Sequence, residues 1–407
     1  MTIQILLFTL LLLPASVHAV EFTLGQRMEL AHPAKGHEVE ISGAAVAAGR
    51  DGVVFVTWAR QDEHSRNLYL ARLGKEETKT VRVNPEGMEV DSLHQSPGIA
   101  VGPGGEVYIS WSSAKAKPEG TLFASDLRLS RSLDGGQTFD NHLRVNEDRP
   151  ISHSFEGLAV ATNGTALISW IDSREGWEKA NTYLARVGQQ GSQVENIVTL
   201  GRDTCVCCRS YVTTGPNNTV AALWRKVFPG DIRDMEFRLS KDGGLSFLPA
   251  TRVHEDRWQI NACPHRGGST GIDAQGRVYA SWYTEGAERQ PAILFAMSKD
   301  GKRFSSPRRL DTSHGSIPDH VQMAIDTAGR AVVVWEDSTA VYRRVLLRYT
   351  TNGGQTFSPV RSLSSALKAY APDVAVSPAG EFVVVWHEEQ FPSTKTVIQT
   401  IQLPDSK

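Results

Sequence analysis

The sequence has no excess charge of either sign: 43 Lys and Arg stand against 45 Asp and Glu, a net charge of -2. That balance excludes the basic footprint of a protein built to hold nucleic acid or an anionic membrane surface. Past its first residues the chain has no apolar run long enough to cross a bilayer, so no membrane span is expected in the mature chain. Cysteine is scarce, with four in 407 residues, and no motif indicates an organic cofactor. At the start, Ile5 to Leu13 form an apolar run of about signal-peptide length, and Val17, His18 and Ala19 put small residues where a signal peptidase reads. The preceding residues lack Lys or Arg, a departure from the usual pattern. The expectation is export, secreted or periplasmic, with cleavage after Ala19, a signal peptide over 1–19 and one mature domain over 20–407.

What the chain does have is a repeat. Trp58, Trp111, Trp170, Trp224, Trp282, Trp335 and Trp386 recur at intervals of 51 to 59 residues, each ending a short β-rich run. Six residues before each Trp stands a turn residue, Gly in six cases and Asn218 in the other. Strand and turn repeating near fifty residues predict an all-β fold, a β-propeller with one four-stranded sheet per repeat. The count is seven blades; a six-bladed form requires one irregular repeat. The last repeat has room for three strands, so its fourth is expected from the N-terminus, around Phe22 to Leu30, which closes the ring and removes exposed edges. Length alone would suggest several domains, but a propeller is one closed structure.

A second motif sits between the third and fourth strands. It runs through Ser132, Asp134, Gly135, Gly136, Thr138 and Phe139, and again through Ser240, Asp242, Gly243, Gly244, Ser246 and Phe247. Thr350, Asn352, Gly353, Gly354, Thr356 and Phe357 form a conservative variant, and the run from Ser298 to Phe304 is one residue short. The acid can bond turn amides, the glycines allow positive φ, and the Phe plugs the hairpin into the sheet. These runs resemble the Asp boxes of the sialidase (neuraminidase) superfamily, which implies a propeller with the boxes on the face away from the active site.

The resemblance also implies an arginine triad for a substrate carboxylate, a Tyr nucleophile supported by Glu, and an acid/base Asp. Arg209 and Arg266 fit two of the three arginine roles. Tyr370 fits the nucleophile with Glu156 as its partner, and Asp319 or Asp373 fits the acid. The family's first arginine sits in an Arg-Ile-Pro motif opening the first blade, and here that stretch is Val39 to Gly43, without Arg. The catalytic set of an exo-α-sialidase is therefore incomplete.

Counting back from each Trp finds a different chemistry. Seventeen residues before it stand Ile41, His94, His153, Cys207, His265, Pro318 and Ala369. Cys205 and Cys263 match each other two residues earlier, Cys208 adjoins Cys207, and His320 enters nearby in the sixth blade. These positions open the innermost strands at the channel mouth. Thiolate and imidazole together suit copper or zinc, whereas calcium and magnesium want oxygen ligands. The expected site is a soft-metal centre, copper ahead of zinc, held by Cys205, Cys207, Cys208, Cys263 and His265, with His94, His153 and His320 around it. Cys205 and Cys207 are expected on a strand, their side chains on one side.

Two alternatives compete. Four cysteines in an exported chain allow a disulfide reading, with Cys205 to Cys263 stapling neighbouring blades. A secreted scaffold that binds a protein or glycan partner is the other. Trp258 is expected either to wall the rim or to pack in the core.

Overall fold

A computed structural model describes the chain outside residues 1–21, 33–39, 51, 75–77, 116–122, 177–178, 189–192, 287–288, 313–314, 391–392 and 406–407. The signal-peptide segment and Trp177 lie outside the described residues. Seven four-stranded antiparallel sheets make up the fold, with no helix among the described residues. Each recurring Trp lies on the second strand of its sheet, as in Val54–Gln61, Val107–Ala114 and Val220–Phe228. The seventh sheet is closed by the N-terminal strand Thr23–His32, which pairs antiparallel with Ser393–Gln402. Seven blades are present, so the six-bladed alternative is set aside.

The turn six residues before each Trp explains the recurrence of glycine there. Gly52, Gly105, Gly164, Gly276, Gly329 and Gly380 all have positive φ, and Asn218, the one exception in sequence, has φ 58°. A left-handed turn residue joins the first two strands of every blade, and Asn is the side chain that tolerates that conformation best after Gly.

The Trp side chains supply the packing. Trp111, Trp170, Trp224, Trp282, Trp335 and Trp386 are almost wholly buried, each in an apolar cluster that spans neighbouring sheets. Burying an aromatic of that size is among the largest single contributions available to a core.

The acid-glycine hairpins lock one blade to the next. Asp134 Oδ1 accepts from the Thr138 amide at 2.9 Å, and the Gly136 amide donates to Ser132 Oγ at 2.7 Å. The second hairpin repeats this, with Ser246 N to Asp242 at 2.9 Å and Gly244 N to Ser240 Oγ at 2.8 Å. Gly136, at φ 87°, sits against Leu70 and Phe55 of the preceding blade, where an added Cβ would stand 2.8 Å from Leu70 Cδ2.

Three inner strands are bulged at one equivalent point. Register shifts between Ser154 and Gly157, Asp319 and Gln322, and Tyr370 and Asp373, with Phe155, His320 and Ala371 at positive φ. Non-glycine residues held in that region store strain, and such strain concentrates where a fold aims side chains for use.

Candidate functional site

The segment Thr204–Cys208 is a turn rather than the expected strand. Thr204 bridges to Lys226, the Cys205 amide donates to Arg225 O at 2.8 Å, and the Cys208 amide turns back onto Cys205 O at 3.3 Å. The turn, not strand alternation, gathers the sulfurs. Cys205 Sγ lies 3.0 Å from Cys208 Sγ and 3.8 Å from Cys207 Sγ. All three lie within 4.8 Å of one another, and all are buried. Phe155 and Val227 pack against them.

Two guanidinium groups flank the sulfurs. Arg233 Nη1 donates to Cys205 Sγ at 3.0 Å. Arg225 is fully buried and donates to three carbonyls: Arg266 O at 2.9 Å, Arg233 O at 2.7 Å and Tyr283 O at 2.7 Å. Bonds from the two neighbouring thiols, then the charges of Arg233 and Arg225, hold Cys205 far below an ordinary thiol pKa. Burial pushes Cys208 up, and hydrogen bonds to Cys205 and Cys208, with burial behind them, push Cys207 up.

The remaining candidate ligands stand outside that group of three. Cys263 is exposed, and all four cysteines are free thiols, so the alternative Cys205–Cys263 staple is not formed. His153 is buried with Nδ1 2.7 Å from Ser125 O, between strands of the second and third blades. His94 is exposed, its amide bonded to Ser92 Oγ. His265, at φ 55°, places its ring 6.1 Å from that of Phe155, across from the sulfurs. His320 pairs with Glu336, Nδ1 to Oε2 at 3.4 Å, its own side chain half-exposed and that of Glu336 buried. Glu336 in turn binds Arg343 at 2.9 Å and the Ala371 amide at 3.2 Å.

The residues matched to sialidase roles also lie on the inner strands. Arg209 Nε donates to Glu156 O at 2.6 Å, and its Nη2 is 3.9 Å from Glu156 Oε1. Burial raises the Glu156 pKa, with Arg209 opposing, and Glu156 Oε2 has no hydrogen bond. Asp373 accepts from the Val46 amide at 2.9 Å and burial pushes its pKa up to about 6. Arg266 pairs with Asp319 at 3.0 Å and lies over the Tyr283 ring at 4.4 Å. Tyr370 sits between Arg343, 5.3 Å from its ring centroid, and the His387 ring at 5.5 Å. The carboxylate tied to that strand is Glu336, and Glu156 is engaged by Arg209.

Sequence reasoning missed Arg225, Arg233, Tyr211 and Glu336. Gln322 donates to Tyr211 Oη at 2.7 Å across the channel. One signal was available: Arg225 directly follows Trp224, at the end of the apolar run Val220 to Trp224, and a charge buried there requires a partner. Trp258 is buried beneath Arg225, whose guanidinium lies 4.8 Å from its ring centroid, and packs edge-on against Tyr283.

No protein-family model matches the chain, and no curated protein sequence matches it either. Solved structures do. An ulvan lyase of polysaccharide lyase family 25, bound to -[GlcA(1-4)Rha3S]-, is 11% identical over 88% of this chain and 94% of that one, with TM-score 0.58. An α-L-arabinofuranosidase from Fusarium graminearum is 13% identical over 94% and 99%, with TM-score 0.54. A Hadza microbial sialidase is 13% identical over 86% and 76%, with TM-score 0.51. The likeness is one of fold: a sialidase-like propeller.

Proposed function

We propose that the protein is an exported sialidase-like propeller that binds a soft metal ion, copper, through Cys205, Cys207 and Cys208 at the channel mouth. The observation that carries this reading is the convergence of three buried sulfurs within 4.8 Å. Thiolates select copper(I) and zinc over calcium and magnesium. A closed zinc site takes four protein ligands. Only three donors gather here among the described residues, which favours copper, held for storage, delivery or redox use.

Elemental analysis of the natively purified protein, paired with a thiol count, tests the reading. Near-stoichiometric copper, with thiols that react only after chelation, supports it. Metal-free protein whose cysteines are oxidised to disulfides rejects it in favour of a protein- or glycan-binding scaffold.

A second reading, hydrolysis of an acidic sugar of the sialidase type, is favoured by one observation. Arg209 and Arg266 both stand at inner-strand starts beside carboxyl groups, Glu156 and Asp319. Both arginines already hold an anionic or polar partner, which competes with a substrate carboxylate for their bidentate faces.

A further inference from the structure

Arg225 is 0% exposed, and among the described residues no carboxylate lies within ion-pair distance of it. Its guanidinium donates only to carbonyls. A buried cation without a counter-charge is strongly unfavourable, so an arrangement of this kind calls for an anion nearby. Arg225 shares its backbone with the sulfur turn, through Cys205 N to Arg225 O at 2.8 Å. Arg233, bonded to Arg225 through its own carbonyl, donates to Cys205 Sγ at 3.0 Å.

We infer that Arg225 and Arg233 set the valence of the bound ion, making the three-sulfur turn selective for a monovalent thiophilic cation, copper(I), over a divalent one. The inference rests on the metal reading above and adds its specificity. When the ion binds, Cys207 and Cys208 release their protons to solvent; three thiolates around a monovalent ion then leave two negative charges, which the two guanidinium groups cancel. Around a divalent ion one negative charge is left, and the buried cluster as a whole carries an uncompensated positive charge. Arg suits this task because it stays cationic in a protein interior where Lys would surrender its proton.

The test uses the full mature protein and two probes, copper(I) competed against a bathocuproine chelator under anaerobic conditions and zinc(II) competed against a chromophoric chelator. Wild type and Arg233→Gln are compared. Arg233 is partly exposed, so this variant keeps the buried Arg225 scaffold. Removing one positive charge weakens copper(I) binding by about tenfold or more and zinc(II) binding less, because a guanidinium attracts the doubly negative copper cluster more strongly than the singly negative zinc cluster. Arg225→Met is the second variant, read for metal content only if its unfolding curve remains cooperative; it shifts the copper-to-zinc preference in the same direction. Equal changes for both ions in Arg233→Gln overturn the charge-matching inference while leaving the metal site standing. Failure of wild type to bind either ion overturns the metal reading itself.

Discussion

Arg233 Nη1 donates to Cys205 Sγ at 3.0 Å, joining the third strand of the fourth blade to the turn that opens its inner strand. The contact makes the sulfur cluster an attachment to a finished sheet. The sheet is held by Trp224 and its neighbours, and the thiols add little apolar area to it.

Cys207→Ala is therefore expected to abolish metal retention while leaving the propeller folded. The stability cost is about 1 kcal/mol, the scale of removing one small buried group. Copper content and urea unfolding on the same preparation check it; a collapse of the fold would show that the thiols are core.

The hairpin glycines are different, because they join blades. Gly136→Ala places a Cβ 2.8 Å from Leu70 Cδ2 at a residue with φ 87°. Steric and conformational strain together are expected to cost about 1–3 kcal/mol, read as a lowered urea midpoint. Gly52→Ala, at φ 75° with nothing within 4 Å, suffers only the conformational part.

The ring seam is expected to weaken in acid. His32 Nε2 lies 2.8 Å from Thr396 Oγ1, which is 3.1 Å from His387 Nδ1, and His387 Nε2 is 2.8 Å from Ser42 O. Burial holds both histidines neutral, lowering His32 from 6.5 to about 3 and His387 from 6.5 to about 4. Folded values below the unfolded value mean full stability above pH 6.5. Below it, the unfolded chain takes up protons first, and stability falls until the folded values are reached. The two together account for roughly 2–4 kcal/mol between pH 7 and pH 5. Asp373, raised to about 6, acts in the opposite direction over part of this range. Comparing wild type with His387→Gln isolates the histidines. The variant's unfolding free energy should change less with pH, and parallel curves would refute the assignment.

A fluorogenic sialoside should give no turnover above that of an Arg209→Ala, Arg266→Ala double variant. Turnover lost in the double variant would move the acidic-sugar reading ahead of the metal reading.

The fold was legible because its determinants are local and repeated. Each blade needs a left-handed turn residue six places before a Trp, and Gly or Asn218 marks every one. Closure by Thr23–His32 followed from the last repeat being one strand short. The site was legible only in part. Counting from the Trp placed Cys205, Cys207 and Cys208 correctly at one blade end, but register alone does not give depth. His94 at the surface, His153 buried against Ser125 and His320 half-exposed against Glu336 share nearly the same offset and face different surroundings. The inner-strand bulges at Phe155, His320 and Ala371 shift side chains out of simple alternation. Arg233 gave no sequence signal for another reason: it reaches the Cys205 sulfur from the third strand, across the sheet.

X-ray absorption at the copper edge of the copper-loaded protein tests the central claim most directly. Coordination by sulfur alone, from the three cysteines that the turn brings within 4.8 Å, is the predicted result. Imidazole scattering in the first shell would contradict it, as would failure of the protein to retain copper through desalting.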